Sequence, residues 1–162
     1  MRLNPNDGRL IAEAKVPHVR GLSWTADHSQ LLVAGRGEVL LLNPENLVTT
    51  RTFDHLSVGQ TFYPSASPDG RSFYAPAVLD GVLLVIDAST GSVQKRLSLG
   101  SPLQVLFDGE SAWVSNVKVP ASMLGPGAKE RPGGLVRLNT VTDQLESIAG
   151  TEDSNGIAFV GR

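Results

Sequence analysis

The sequence contains no cysteine among its 162 residues. This absence excludes disulfide bonds, thiolate catalysis and cysteine-based metal sites, and it leaves the redox compartment open. Basic and acidic residues nearly balance at 14 and 16, so we expect neither nucleic acid nor an anionic membrane as a partner. No apolar run is long enough for a transmembrane helix and no signal peptide is recognisable, which predicts a soluble chain of unknown location.

Helical periodicity is missing as well. No stretch repeats apolar residues with the spacing of an amphipathic helix over several turns, which argues against a helical bundle or solenoid. Short apolar runs instead alternate with turns that use the 17 glycines and 10 prolines. With 41% hydrophobic residues, the chain is expected to form one all-β domain with a substantial core.

A repeat organises these strands. Its clearest copy is VLLVIDASTGSVQKRLSLG, residues 82–100, in which an apolar strand is followed by Asp, a polar turn and an alternating strand. Similar segments place the turn residue at Asn4, Asn43, Asp87 and Asn139. A period of about 40 to 50 residues is typical of β-propeller blades.

A second pattern alternates with the first. Two strands flank tight turns centred on Asp27, Asp69 and Asp108, and the last two of these are followed by glycine, a strong hairpin signal. Each repeat therefore predicts four antiparallel strands, which we letter a to d from the centre of the ring outward. His28 stands where the second turn has Gly70, so we interpret it as a turn residue.

The stretch SPDGRSFYAPAVLDGVLLVIDASTG, residues 67–91, resembles the YVTN-type β-propeller repeat. The segments DGESAWVSN and GGLVRLNTVTDQLESIAG are similar to blades of virginiamycin B lyase and of WD40-like or quinoprotein-like propellers, although the WD40 signature pairs are missing. The resemblance implies a propeller architecture. It does not imply one activity, because such repeats serve lyases, hydrolases and binding proteins alike.

Counting strands predicts an incomplete ring in a single domain, 1–162. Whole blades are expected at about 17–54, 57–99 and 101–149, and a split fourth blade from 1–16 and 151–162. Open edges in such an arc have to be covered. A second copy could complete a ring of about eight blades, which we expect; a small four-bladed ring and a chain that is part of a longer protein are the alternatives.

Ligands of propellers commonly bind at the face where the d-to-a and b-to-c connections meet the central channel. The candidate ligand-binding residues on these connections are His18, Arg20, His55, Gln60, Gln104, Asp153 and Asn155. Blade three also carries a long insertion, 117–134, whose charges Lys118, Lys129 and Arg131 suit a lid or a partner-docking loop.

No catalytic constellation stands out. The sequence therefore favours a binding or scaffold module without a cofactor, assembled as a homodimer and open to a protein or small-molecule ligand. The first alternative is a metal-assisted lyase or lactonase, with a divalent ion near His18, His55 and Asp153. The second is a fragment of a larger exported propeller. Trp113 is expected to pack between blades, and Phe107 and Phe159 to lie in the core.

Overall fold

A computed structural model describes residues 1–57, 59–152 and 154–158. The regular secondary structure of the described chain is almost wholly β-strand. The strands are β1 (Arg2–Leu3), β2 (Leu10–Ala12), β3 (Gly21–Trp24), β4 (Leu31–Ala34), β5 (Val39–Leu42), β6 (Thr49–Phe53), β7 (Ser65–Ala66), β8 (Ser72–Ala77), β9 (Val82–Asp87), β10 (Val93–Ser98), β11 (Pro102–Asp108), β12 (Ser111–Asn116), β13 (Gly134–Asn139) and β14 (Leu145–Ile148). One short helix, α1 (Ala121–Leu124), lies in the insertion.

Three antiparallel sheets of four strands follow one another along the chain. Blade one is β3-β4-β5-β6, blade two is β7-β8-β9-β10 and blade three is β11-β12-β13-β14, each in meander order. The strands β1 and β2 form a separate two-stranded sheet. The predicted all-β architecture, with three four-stranded blades and part of a fourth, is therefore confirmed.

The four c-to-d hairpins have the same hydrogen bonds, which explains the repeat seen in the sequence. In blade two, the Asp87 carboxylate accepts the N–H groups of Ser89 and Thr90 at 2.9 and 2.8 Å. The N–H of Gly91 donates to the Asp87 carbonyl, and Gly91 adopts a φ of 80°. A side-chain oxygen at the start and a residue with positive φ at the end are what this turn requires. The matching pairs elsewhere are Asn4 with Gly8, Asn43 with Leu47, and Asn139 with Asp143.

The a-to-b turns of blades one and two also match each other. The Thr25 hydroxyl donates to Asp27 at 2.7 Å, and the Ser67 hydroxyl donates to Asp69 at 2.6 Å. His28, with a φ of 58°, occupies the place that Gly70 takes in the second turn. The interpretation of His28 as a turn residue is confirmed, and the two aspartates serve the turns.

Blades pack face to face through alternate residues of their strands. Leu32, Val39 and Leu41 of blade one are buried against Phe73 and Leu84 of blade two. The opposite face of blade two contributes its own apolar residues to a second cluster with blade three. That cluster comprises Tyr74, Leu83, Val85, Val105, Ala112, Val114 and Leu138, with the half-buried Phe107 against it. Each blade thus depends on its neighbours, and Phe107 packs in the core as predicted.

The first segment of the chain supplies part of a fourth blade. Strands β1 and β2 pair antiparallel, and Ala12, Ala14 and Val16 pack on blade one beside Val33 and Leu40. The strand β2 therefore covers the outer part of the face of blade one that points away from blade two, as strand d of a preceding blade would. No strand of the described chain pairs with the other edge of β1.

The opposite end differs from the expected strand. The described residues 154–158 contain no strand, although the Ile157 N–H donates to Gln104 Oε1 at 3.0 Å. The rest of the predicted strand, including Phe159, lies outside the described residues.

Gly21 has to be glycine because blade two approaches it closely. A Cβ atom at Gly21 would lie 2.7 Å from Tyr63 Cα and 2.6 Å from Tyr63 Cδ1. We predict that Gly21→Ala destabilises the fold by about 1–3 kcal/mol, since the backbones of two blades would have to separate. In the control, Gly35→Ala, the new Cβ meets only the flexible side chain of Glu38. Urea unfolding of both variants measures the difference, and equal midpoints would contradict the close packing.

The Asp87 turn predicts a pH dependence. Hydrogen bonds from the Ser89 hydroxyl and the Thr90 N–H lower the pKa of Asp87 from 3.8 to about 2. Because the folded pKa is depressed, this stabilisation is present above pH 3.8 and is lost as the pH falls towards 2. Asp87→Asn keeps the accepting oxygen, as Asn43 and Asn139 do in sister blades, but cannot titrate.

We therefore expect the urea midpoint of the Asp87→Asn variant to fall less between pH 5 and pH 2 than that of the wild type. Some dependence remains, because the pKa of Asp27 is also lowered to about 2 by the Thr25 hydroxyl and by Ser29. Parallel declines of the two proteins would show that the Asp87 carboxylate does not stabilise the turn by its charge.

Candidate functional site

The histidines of the channel-side connections are in left-handed turn conformations. His18 and His55 have φ values of 56° and 53°. His55 lies just beyond strand d of blade one, where blades two and three have Gly100 and Gly150 with φ values of 92° and 73°. Histidine is among the residues that tolerate this conformation. Because the three blades share this geometry, we infer that His55 serves the turn. Its side chain is almost fully exposed.

Arg20 and Gln60 are the two predicted residues that the structure brings together. Arg20 Nε donates to Gln60 Oε1 at 2.8 Å, and the guanidinium lies 5.9 Å from the centre of the Phe62 ring. The contact joins the entrances of strand a in blades one and two. Both polar groups are thus engaged with each other on an accessible surface.

The remaining candidates of this face lie near the last described segment. Gln104 accepts the Ile157 N–H and so holds that segment against blade three. Asn155 is exposed. Asp153 lies outside the described residues, so the proposed group of His18, His55 and Asp153 has no described geometry.

The insertion of blade three is closed at its base. Val119 and Arg131 exchange two backbone hydrogen bonds of 3.0 and 2.9 Å, which leaves α1 and its flanking turns outside the bridge. Lys118 forms an ion pair of 3.2 Å with Glu130 across the same base, and Lys129 is exposed. The loop is therefore anchored at its base, while its tip projects outward.

Arg131 ties the insertion to blade two. Its Nη1 atom donates to the carbonyl oxygens of Val78, Leu79 and Gly100 at 3.1 to 3.2 Å. Val78 and Leu79 lie in the connection between β8 and β9, and Gly100 follows β10. The role of Arg131 in a lid or partner-docking loop stays a prediction, and in the structure its guanidinium bonds the neighbouring blade.

Two features are absent from residues 1–57, 59–152 and 154–158, a cluster of metal-binding side chains and a membrane-spanning helix. Within these ranges, no three His, Asp or Glu side chains are grouped so that they could hold an ion. Among the same residues, no helix has the length and apolar character needed to cross a membrane.

Two blade faces of the described arc are uncovered. On blade one, Leu22 and Trp24 are 61% and 47% exposed. On blade three, Trp113 shares a face with Leu106 and Arg137, its direct partners in the sheet, away from the cluster with blade two. Trp113 was predicted to pack between blades. This stays a prediction, because the described chain places no blade against that face. Here the Trp113 side chain is half-buried, with the Arg137 guanidinium 5.9 Å from its ring.

Asn116 is a polar residue that sequence analysis did not select. It ends strand b of blade three and is 3% exposed. Its Oδ1 atom accepts the Ser101 N–H at 3.1 Å. Alignment of the repeats could have singled out Asn116, because the equivalent positions after the turns at Asp27 and Asp69 hold the small residues Gly35 and Ala77.

Comparison with known proteins supports the fold. No protein-family model matches the chain, and no curated protein matches its sequence. Among solved structures, it is similar to Kuenenia stuttgartiensis hydrazine synthase, with 16% identity and a TM-score of 0.63 over 83% of this chain and 36% of that chain. It is also similar to the β-propeller domain of Myceliophteria thermophila Cps50 (Swd1), with 10% identity and a TM-score of 0.58 over 83% and 38%.

These likenesses show the architecture and nothing about activity. The chain is a β-propeller module that spans well under half the length of either matched chain. Assignment to the YVTN-type repeat stays a prediction, since no family model matches.

The turn role of His55 can be tested by substitution. We predict that His55→Gly leaves stability unchanged or slightly higher, because glycine accepts positive φ freely. His55→Val should cost about 1–2 kcal/mol, because a β-branched residue is strained there. Thermal unfolding with and without millimolar Zn²⁺ or Mn²⁺ is the measurement. Stabilisation of the wild type by an ion, lost in His55→Gly, would instead make His55 a metal ligand.

Proposed function

We propose that this chain is a binding or scaffold module without catalysis of its own, and that a second copy of the chain covers its open blade faces. The observation that carries the proposal is the exposure of apolar residues on a face that elsewhere in the molecule is buried. Exposed contiguous apolar surface of this kind commonly marks an interaction site.

Blade one provides the first of the two faces. Leu22 pairs directly with Val33, which pairs with Leu40, so all three share one side of the sheet. Val33 and Leu40 are buried under the segment that follows β2, whereas Leu22 is exposed. The uncovered patch is therefore the inner continuation of an existing blade-to-blade interface, in the place where strands a and b of a preceding blade would pack.

Blade three provides the second face. We call the face of a blade that points to the next blade along the chain its forward face, and the face that points to the preceding blade its backward face. At both interfaces between blades one, two and three, a forward face packs on a backward face. Blade three leaves its forward face open, with Leu106, Trp113 and Leu135, and blade one leaves its backward face open. Two copies related by a twofold axis could join each forward face to a backward face and so close a ring.

Catalysis receives no comparable support from the described residues. The polar groups that converge on the channel side pair with one another or with backbone, as Arg20 does with Gln60 and Gln104 with Ile157. The lyase or lactonase alternative needs a metal group whose third member, Asp153, is not described. The other alternative, further blades from a longer polypeptide, would cover the same faces in place of a second copy.

The oligomeric state tests the proposal. We expect light scattering after size-exclusion chromatography to give twice the chain mass at micromolar concentration. Trp24→Glu should weaken the association at least tenfold, because it buries a charge within the joined faces. Val141→Glu, at an exposed residue in the c-to-d turn of blade three, is the matched control and should leave the mass unchanged.

A folded wild-type monomer at tens of micromolar would refute the second copy as the occupant. So would a dimer that Trp24→Glu and Val141→Glu weaken equally, since the association would then not use the open face of blade one.

A further inference from the structure

At both interfaces between whole blades, a basic side chain of one blade bonds the c-to-d turn of the next. Arg51 of blade one donates from Nη1 to the carbonyl oxygen of Ala88, in the turn of blade two, at 3.2 Å. Lys95 of blade two donates to the two carboxylate oxygens of Asp143, in the turn of blade three, at 2.8 and 2.7 Å. We call a bond of this kind a turn contact.

The first segment of the chain makes the same contact with blade one. Arg2, in β1, donates from Nη1 to the Glu45 carboxylate at 2.6 Å and to the Glu45 carbonyl oxygen at 2.8 Å. Glu45 lies in the c-to-d turn of blade one, where its N–H donates to Asn43. The cation of this contact stands on strand c, whereas Arg51 and Lys95 stand on strand d. All three described boundaries are therefore joined by a turn contact.

Arg137 is the residue of blade three that corresponds to Arg2. Each stands two positions before the Asx residue of its c-to-d turn, Asn4 for Arg2 and Asn139 for Arg137. Arg137 pairs directly with Trp113 in the sheet and lies with it on the forward face of blade three. In a ring, that face meets the next blade. Arg137 is therefore placed to make the turn contact of the open end.

The contacts of Arg137 in the described structure lie within its own blade. Its Nε atom donates to the Ser111 hydroxyl at 3.1 Å, and its Nη1 atom lies 3.9 Å from the Glu146 carboxylate. Both charged side chains remain about half-exposed or more. Among the described residues, no further c-to-d turn follows blade three, so Arg137 has no turn of a next blade to bond.

A second copy would bring a matching acid to this place. The first segment covers blade one of its own chain, so in a ring of two copies it follows blade three of the other copy. The c-to-d turn of that segment is 4–8, and its acid is Asp7. Asp7 Oδ1 accepts the Arg9 N–H at 3.0 Å. Asp7 Oδ2 lies 3.7 Å from Arg9 Nε, which is too long for a hydrogen bond and leaves this oxygen open to a guanidinium.

We propose that Arg137 of one copy pairs with Asp7 of the other, which repeats the turn contact across the interface between copies. The inference rests on the proposed second copy and names the charges that fix its register. Twofold symmetry gives two such pairs in each dimer. The neighbouring charges are complementary as well, because Glu146 accompanies Arg137 and Arg9 accompanies Asp7.

Charge reversal followed by mixing tests the pair. Arg137→Asp sets acid against acid at both contacts of a dimer, and Asp7→Arg sets cation against cation. Each variant alone should therefore raise the dimer dissociation constant about tenfold or more. An equal mixture forms a heterodimer in which both contacts again join opposite charges. Its dissociation constant, measured by analytical ultracentrifugation, should return to within about threefold of the wild-type value. A variant that is merely misfolded would gain nothing from mixing.

Two further variants separate the pair from other effects of substitution. Asp7→Asn keeps a side-chain oxygen for the Arg9 N–H, so the turn stays intact while the charge is lost. It should weaken association about threefold or more. Arg71→Asp reverses an exposed charge in the a-to-b turn of blade two, is the matched control and should leave association unchanged.

Wild-type affinity in Arg137→Asp or in Asp7→Asn would overturn the pair, and so would a mixture that associates no better than its two components. In these cases the wild type is still a dimer, so the second copy itself stands. A wild-type monomer would refute the second copy and the pair together.

Discussion

Burial of blade faces is the constraint on which the whole structure depends. A four-stranded antiparallel sheet has two faces, and in this chain both faces of a central blade are apolar. Blade two shows this directly: Phe73 and Leu84 pack towards blade one, and Leu83 and Val85 pack towards blade three. Such a sheet cannot be stable alone, because half of its apolar side chains would meet water. Neighbouring blades therefore have to be present on both sides.

The same constraint applies to the blades at the two ends of the arc. Blade one and blade three have the sequence pattern of blades that are covered on both sides, yet each presents one face to solvent in the described structure. Val105 of blade three, which faces blade two, is 2% exposed, whereas Leu22 of blade one is 61% exposed on the corresponding face.

The parts of the fold that could be predicted from the sequence are those that local hydrogen bonding determines. The c-to-d turns are specified by one side-chain oxygen and one positive φ, so Asn43 and Asp87 could be aligned without any knowledge of tertiary structure. Arg131 could not be placed in this way. Its three carbonyl partners lie in another blade, and nothing within the insertion indicates that they are near. Asn116 is intermediate, because alignment with Ala77 singles it out, but only the fold shows that it is buried and accepts the Ser101 N–H.

Our central proposal is that a second copy of the chain covers the backward face of blade one. Hydrogen exchange of the backbone amides in β3, Gly21–Trp24, measured at high and low protein concentration, tests it most directly. If a second copy binds there, exchange of β3 slows markedly as concentration rises, while exchange of β9, Val82–Asp87, buried between two blades of one chain, stays constant. Exchange of β3 that is independent of concentration would contradict it.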